Sequence, residues 1–279
     1  MTLPFMPIPE SKPSVLRRLE RASFCASISD QDFPNWEKVL KDPAMHPKNY
    51  MRTQRQKWND CQGQATANGA EKRIGYMNHG VVKQRSDSYA YAASEYIDQR
   101  KVGANHGSTI TAGVILQTEG IKSLGVKPGL AIEKDWGYER RTNTAQFKRE
   151  AQSVKIYDAL VTEQQPMPDF ESTMIGMAAG GSGHIGTYWS GIRWKPLGNK
   201  REMTSRGRSG GHATEAVWVE WHNRKPYILV WNSHGDGWYL IGEAMWNRLV
   251  DMKFQPFGGF LLMPERAEEQ FEQVNWRMF

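Results

Sequence analysis

Cysteine is almost missing from this chain: among 279 residues there are only Cys25 and Cys61. That excludes a disulfide framework as the basis of the fold and leaves room for one bridge at most. Long apolar runs are missing too. Stretches such as Gly258 to Met263 fall far short of the roughly 20 residues a membrane-spanning helix needs, so no membrane span is expected. The first dozen residues lack a basic start followed by an apolar run, which argues against a signal peptide. There is no internal repeat, no zinc-finger spacing, and no dense Lys/Arg run interleaved with aromatics. Nucleic acid is therefore not the expected partner. Neither sign of charge dominates: 36 basic against 30 acidic residues leave a net charge of +6, a mild excess. Its densest part is Lys200-Arg201 through Arg206 and Arg208, which with Ser205, Gly207 and Gly210 reads as a solvated loop.

What is abundant is tryptophan, at eleven residues. Trp combines large apolar area with a polar N–H and suits grooves as well as cores. The chain is long enough for one large domain or two small ones. Residues 1–48 read as an N-terminal extension, partly extended because of Pro4, Pro7, Pro9 and Pro13, with a short helix over Ser14–Ala26. Residues 49–264 read as the main domain and 265–279 as a tail. Within the main domain a helix is expected to start near Cys61, in a run rich in small residues. More are expected over Ser88–Arg100, Thr109–Glu119, Phe147–Val154 and Pro168–Ala178, with Ser88 and Thr109 as caps. Then the texture changes. His184–Trp189, Ala213–Trp221, Pro226–Trp231 and Phe257–Met263 are rich in Val, Ile, Tyr and Trp and read as strands. Helices followed by an antiparallel sheet make an α+β fold.

Three segments carry chemistry. Asn59-Asp60-Cys61-Gln62-Gly63 places Cys61 at a helix start, where unshared N–H groups and a partial positive charge favour thiolate over thiol. Alone, such a cysteine is better explained by packing. Gly210-Gly211-His212-Ala213 places a histidine directly before an apolar strand, exposed at a cleft edge, where a neutral imidazole can take a thiol proton. Trp231-Asn232-Ser233-His234-Gly235 delivers Asn232 at a strand end, where it can accept from one imidazole nitrogen and turn the other toward sulfur.

Together these segments resemble the papain family of cysteine peptidases, in its bacterial and phage branch. His212 follows Cys61 by 151 residues and Asn232 follows His212 by 20, in the family's order and range. Glu133-Lys134-Asp135-Trp136-Gly137-Tyr138 is similar to a turn of that family, and the stretches from Ser88 and Gly107 are similar to its middle helices. The resemblance implies a two-subdomain papain-like fold with a cleft between a helical half and a β half. It implies hydrolysis of peptide or isopeptide bonds through a Cys61–His212–Asn232 triad and a thioester, with no cofactor and no metal. It further implies that Gln56, or its neighbour Gln54, serves the oxyanion. The family's glutamine position itself holds Arg55. His106, Gly107 and Ser108 would wall the substrate pocket, and the partner would be a protein or peptide substrate.

The chain departs from the pattern in four places. Asn59-Asp60-Cys61-Gln62 stands for Gly-Ser-Cys-Trp, and Asp60 sets a carboxylate beside the thiol, which opposes its ionisation. Arg55 stands at the oxyanion position. His234 stands where a Trp normally shields the Asn–His hydrogen bond. Two other readings follow. One is a non-catalytic papain-fold assembly protein, for example in a virus particle, with partners bound through the N-terminal extension; for any of the readings, with no signal peptide or membrane span expected, the expected location is cytoplasmic or virion-associated. The other is an NlpC-type peptidoglycan peptidase, suggested by Asp60-Cys61-Gln62-Gly63 and by His184 in Gly183-His184-Ile185-Gly186. Cys25 is expected to be structural and not bonded to Cys61.

Overall fold

The computed structural model describes residues 36–52, 55–137, 142–161, 163–234, 237–251 and 259–264. The expected helix over 14–26, Cys25, Gln54 and the tail lie outside them. Helix α1 spans Trp36–Leu40, α2 Cys61–Met77, α3 Asp87–Ile97, α4 Ile110–Thr118 and α5 Thr144–Ala151. Helix α6 (Phe170–Ala178) and α7 (Glu243–Val250) accompany the strands. These are β1 (Glu163–Pro166), β2 (Ser182–Ser190), β3 (Trp194–Leu197), β4 (Lys200–Met203), β5 (Ser209–His222), β6 (Lys225–Trp231), β7 (Trp238–Ile241) and β8 (Gly259–Met263). They form one sheet in the order β1-β8-β2-β5-β6-β7-β4-β3, antiparallel except at β4–β7.

Caps explain where two of the helices start. Thr109 accepts from the Ala112 N–H and opens α4 as expected. The cap of α3 is Ser86, which accepts from the Tyr89 N–H at 3.0 Å; Ser88 is already inside the helix. Two-residue turns explain the hairpins. Asn223 and Arg224 both take positive φ between β5 and β6, the left-handed backbone region whose turn matches the right-handed twist of paired strands. Gly198-Asn199 makes a second two-residue turn between β3 and β4, with positive φ at Gly198, where Leu197 pairs with Lys200. The basic stretch from Lys200 is thus strand at its start, not loop, because that Gly-Asn turn folds it back on Trp194–Leu197.

Three apolar clusters hold the fold. One fills the helical half around Tyr89, Trp136 and Phe147. The second lies on the sheet around Trp218, Trp231 and Trp246 and takes in Trp36, Val39 and Leu40. The third is a small seam between the halves, made of Cys61, Ala65, Ile110, Val114, Ala213, Phe260 and Leu262. Helix α2 runs along that seam and is almost wholly buried. Its small residues permit this: a Cβ on Gly63 would lie 2.6 Å from the Asp87 carbonyl oxygen of α3. Its two buried cations are met by oxygen acceptors. Lys72 donates to the Met177 and Gly181 carbonyls, and Arg73 to the Ala159 carbonyl and Ser182.

Candidate active site

Cys61 is the first residue of α2 and is buried at the seam. Its sulfur accepts the backbone N–H of Ala213 at 3.5 Å. That contact places β5, and with it His212, directly against the start of the helix. Asp60 does not cap α2; its carboxylate accepts from the Gln64 side chain at 3.3 Å, drawn along the helix.

His212 is the fourth residue of β5 and is wholly buried, where an exposed position at a cleft edge was expected. The strand register gives the reason. His212 pairs with Thr187 of β2, so Trp189, two residues on and on the same face, is its diagonal neighbour. The Trp189 ring sits 4.4 Å from the His212 ring, centroid to centroid, and His234 closes the other side at 4.6 Å. Trp189 and His234 themselves stack at 6.2 Å.

Asn232 follows β6 and fixes the imidazole. Its Oδ1 lies 2.7 Å from His212 Nε2 and also accepts the backbone N–H of His234 at 3.0 Å, while its Nδ2 donates to the His234 carbonyl. A backbone N–H can only donate and a carbonyl only accept, so the amide cannot be turned over. His212 Nε2 must therefore carry the hydrogen, and the lone pair belongs to Nδ1. Burial, and next the field of a protonated His234, lower the His212 pKa to about 3, while the Asn232 bond pulls it up. Burial also lowers that of His234.

The remaining candidates gather around the same point. Gln56 is tied to the Asn232 turn: its N–H donates to the Ser233 carbonyl at 3.1 Å and its Oε1 accepts from Ser233 Oγ at 2.6 Å. Its Nε2 donates to the Trp58 carbonyl at 2.9 Å. Arg55 is exposed. On the helical side, Ser108 Oγ donates to Gln62 Oε1 at 2.8 Å, the Gly107 N–H donates to the Tyr91 hydroxyl at 2.9 Å, and His106 is exposed. Asn59 donates twice to Asn105, at 2.8 Å each, and so fastens this loop beside Cys61. His184 is engaged elsewhere. It is buried in the sheet with Nδ1 2.7 Å from Glu215 Oε2.

Xylellain, a cysteine protease from Xylella fastidiosa, matches with a TM-score of 0.58 at 15% identity over 95% of this chain and 96% of that one. This chain has the papain-like fold. ProCathepsin B S9 from Trypanosoma congolense matches with a TM-score of 0.51 at 16% identity, over 95% of this chain and 83% of that one. The bromelain protease from Ananas comosus, solved with the E64 inhibitor, has a TM-score of 0.51 at 15% identity, over 80% and 98%. No family model matches the chain, and no curated protein does. Among the described residues no helix is long and apolar enough to cross a membrane.

Sequence reasoning missed three parts of this candidate site: Trp189, the Asn59–Asn105 clasp and the Ser233–Gln56 clasp. All three join residues far apart in the chain. Only for Trp189 was there a usable signal, the pairing of β2 with β5, and that needs the register.

Proposed function

We propose that the chain is a cysteine peptidase of the bacterial and phage type, hydrolysing peptide or isopeptide bonds. The observation that carries this is one set of contacts: Ala213 N–H on the Cys61 sulfur at 3.5 Å beside a His212 whose Nε2 meets Asn232 at 2.7 Å. Cys61 is the nucleophile. Its proton passes to His212 Nδ1, and the thiolate is held by the start of α2 and by the Ala213 N–H. The sulfur adds to the substrate carbonyl, whose oxyanion takes the Cys61 N–H and the Gln56 amide. His212 returns the proton to the leaving amine, and the C–N bond breaks to leave a thioester. His212 next takes a proton from water, the hydroxide adds to the thioester, and acid and thiol are released. Burial disfavours an isolated imidazolium, so thiolate and imidazolium form as a pair, each offsetting the other's desolvation. Trp189 supplies the cover that His234 gives up. His106, Gly107 and Ser108 wall the acyl side.

Alkylation of Cys61 by iodoacetamide between pH 5 and 8, with turnover of casein and mixed peptides, tests this. Reaction well below the usual thiol range is expected, together with loss of turnover in Cys61→Ala and a smaller loss in Asn232→Ala than in His212→Ala. A thiol that reacts only near its ordinary pKa, with no substrate cut, would leave a papain-fold assembly protein. Cleavage of peptidoglycan peptides alone would favour the cell-wall reading.

A further inference from the structure

The segment joining β2 to β5, residues 190–208, holds six basic residues and one acidic residue, a net +5 within a chain whose total is +6. Nearly all of the protein's excess positive charge therefore sits on one hairpin. Of its cations, Lys200 is spent on Glu220 at 2.6 Å. Arg193, Lys195, Arg206 and Arg208 are exposed, and none pairs with an acidic side chain among the described residues. Arg201 lies over the Trp194 ring at 4.3 Å.

The hairpin adjoins the candidate base. Rings lead outward from it without a gap: His212 to Trp189 at 4.4 Å, Trp189 to Trp194 at 5.6 Å, then the Arg201 guanidinium. The returning limb is pinned across the end of β2, where the Gly207 N–H donates to the Tyr188 carbonyl at 3.0 Å and Arg208 N–H to that of Ser190 at 2.8 Å. Only glycine fits there, since a Cβ would lie 2.5 Å from the Tyr188 oxygen. Arg206 and Arg208 are thereby fixed on either side of Gly207, next to Trp189. Four exposed cations with no acidic partner among the described residues, carried on a pinned hairpin beside a site, make a complementary surface for an anionic partner.

Resting on the peptidase reading, we infer that this hairpin binds acidic residues on the carboxyl side of the bond to be cut. The direction follows from the proton. His212 must reach the leaving nitrogen, so the chain beyond that nitrogen departs past His212 and over Trp189, Trp194 and the arginines. The leaving group of that reaction is polypeptide, which favours an acidic peptide over a nucleic acid on the same charges.

The test uses quenched peptides identical up to the cleaved bond and carrying Asp/Glu, Asn/Gln or Lys/Arg in the three positions after it. Acidic peptides should be cut about tenfold more efficiently than neutral ones at low salt, the scale of a few exposed ion pairs. The preference should shrink in 0.5 M NaCl, where the screening length falls to roughly 4 Å. In the double variant Arg206→Glu/Arg208→Glu the order should invert in favour of Lys/Arg, a gain that misfolding cannot produce. Cleavage without preference, or an unchanged preference in the double variant, overturns the inference while leaving the peptidase reading intact. Binding of the same peptides to Cys61→Ala, read by fluorescence anisotropy, tests the surface apart from the chemistry: equal binding of acidic and neutral peptides overturns it even where nothing is cut. A single-stranded oligonucleotide that displaces the acidic peptide more tightly than polyglutamate of equal charge overturns it in favour of nucleic acid.

Discussion

His212 should make this protein acid-sensitive in a way that depends on Cys61. The histidine is wholly buried and its pKa is lowered to about 3, first by burial and then by His234. An unfolded chain holds it near 6.5. Between those values the unfolded state binds the proton and the folded state does not. Stability is therefore complete above about pH 6.5 and is lost as the pH falls, by ~1.4 kcal/mol for each unit. From pH 7 to pH 4.5 the loss comes to about 3 kcal/mol, and it hardly depends on the folded value so long as that stays below roughly 4. Other groups act in the opposite sense. Burial raises Glu71 to about 7 and Asp87 to about 6, so their folded pKa values lie above the unfolded ones and their burial costs less as the pH falls. A difference removes them. Urea unfolding of Cys61→Ala and of Cys61→Ala/His212→Gln at several pH values should diverge by about 3 kcal/mol between pH 7 and 4.5, with the protein that retains His212 losing more. With Cys61 restored the loss should be smaller, because a thiolate compensates the imidazolium. Parallel curves for the two Cys61→Ala proteins would refute the claim that His212 is held neutral by burial.

Trp189→Ala should expose the His212–Asn232 bond to water. A hydrogen bond to a charged group contributes ~1.5–3 kcal/mol, and loss of roughly half of that lowers kcat about fourfold to thirteenfold. KM should change less, and Trp189→Phe should restore most of the rate; a pure fall in melting temperature would refute a covering role. His234→Trp should leave peptide turnover within about twofold or raise it, because Trp189 already covers the ring, and a strong loss would make His234 a working member of the site. Gly63→Ala should cost about 1–3 kcal/mol by urea unfolding, since its Cβ would lie 2.6 Å from the Asp87 oxygen and 2.7 Å from the Tyr91 Cβ. It should slow alkylation of Cys61 as well, since α2 would have to shift.

The sequence by itself determined what local rules govern. The small residues after Cys61 announced a helix that others could approach closely, and Thr109 announced its own cap. Alternating Val, Ile and Trp announced the central strands, and the order and spacing of Cys61, His212 and Asn232 announced the papain-like fold. It misplaced Ser88 as a cap because Ser86 and Ser88 satisfy the same local rule, and only the course of the preceding chain selects between them. It took Lys200 onward for solvated loop because charge outweighed the Gly198-Asn199 turn. Tertiary structure alone decided the rest. The depth at which His212 lies, the cover given by Trp189 opposite His234, and the clasping of Gln56 by Ser233 all come from strand register and helix–sheet approach. Those relations join residues up to 177 positions apart. Spacing along a chain records which residue types are available for a site; the distances among them are set when the two halves close over a seam, because only there do burial and hydrogen bonding act on all of them together.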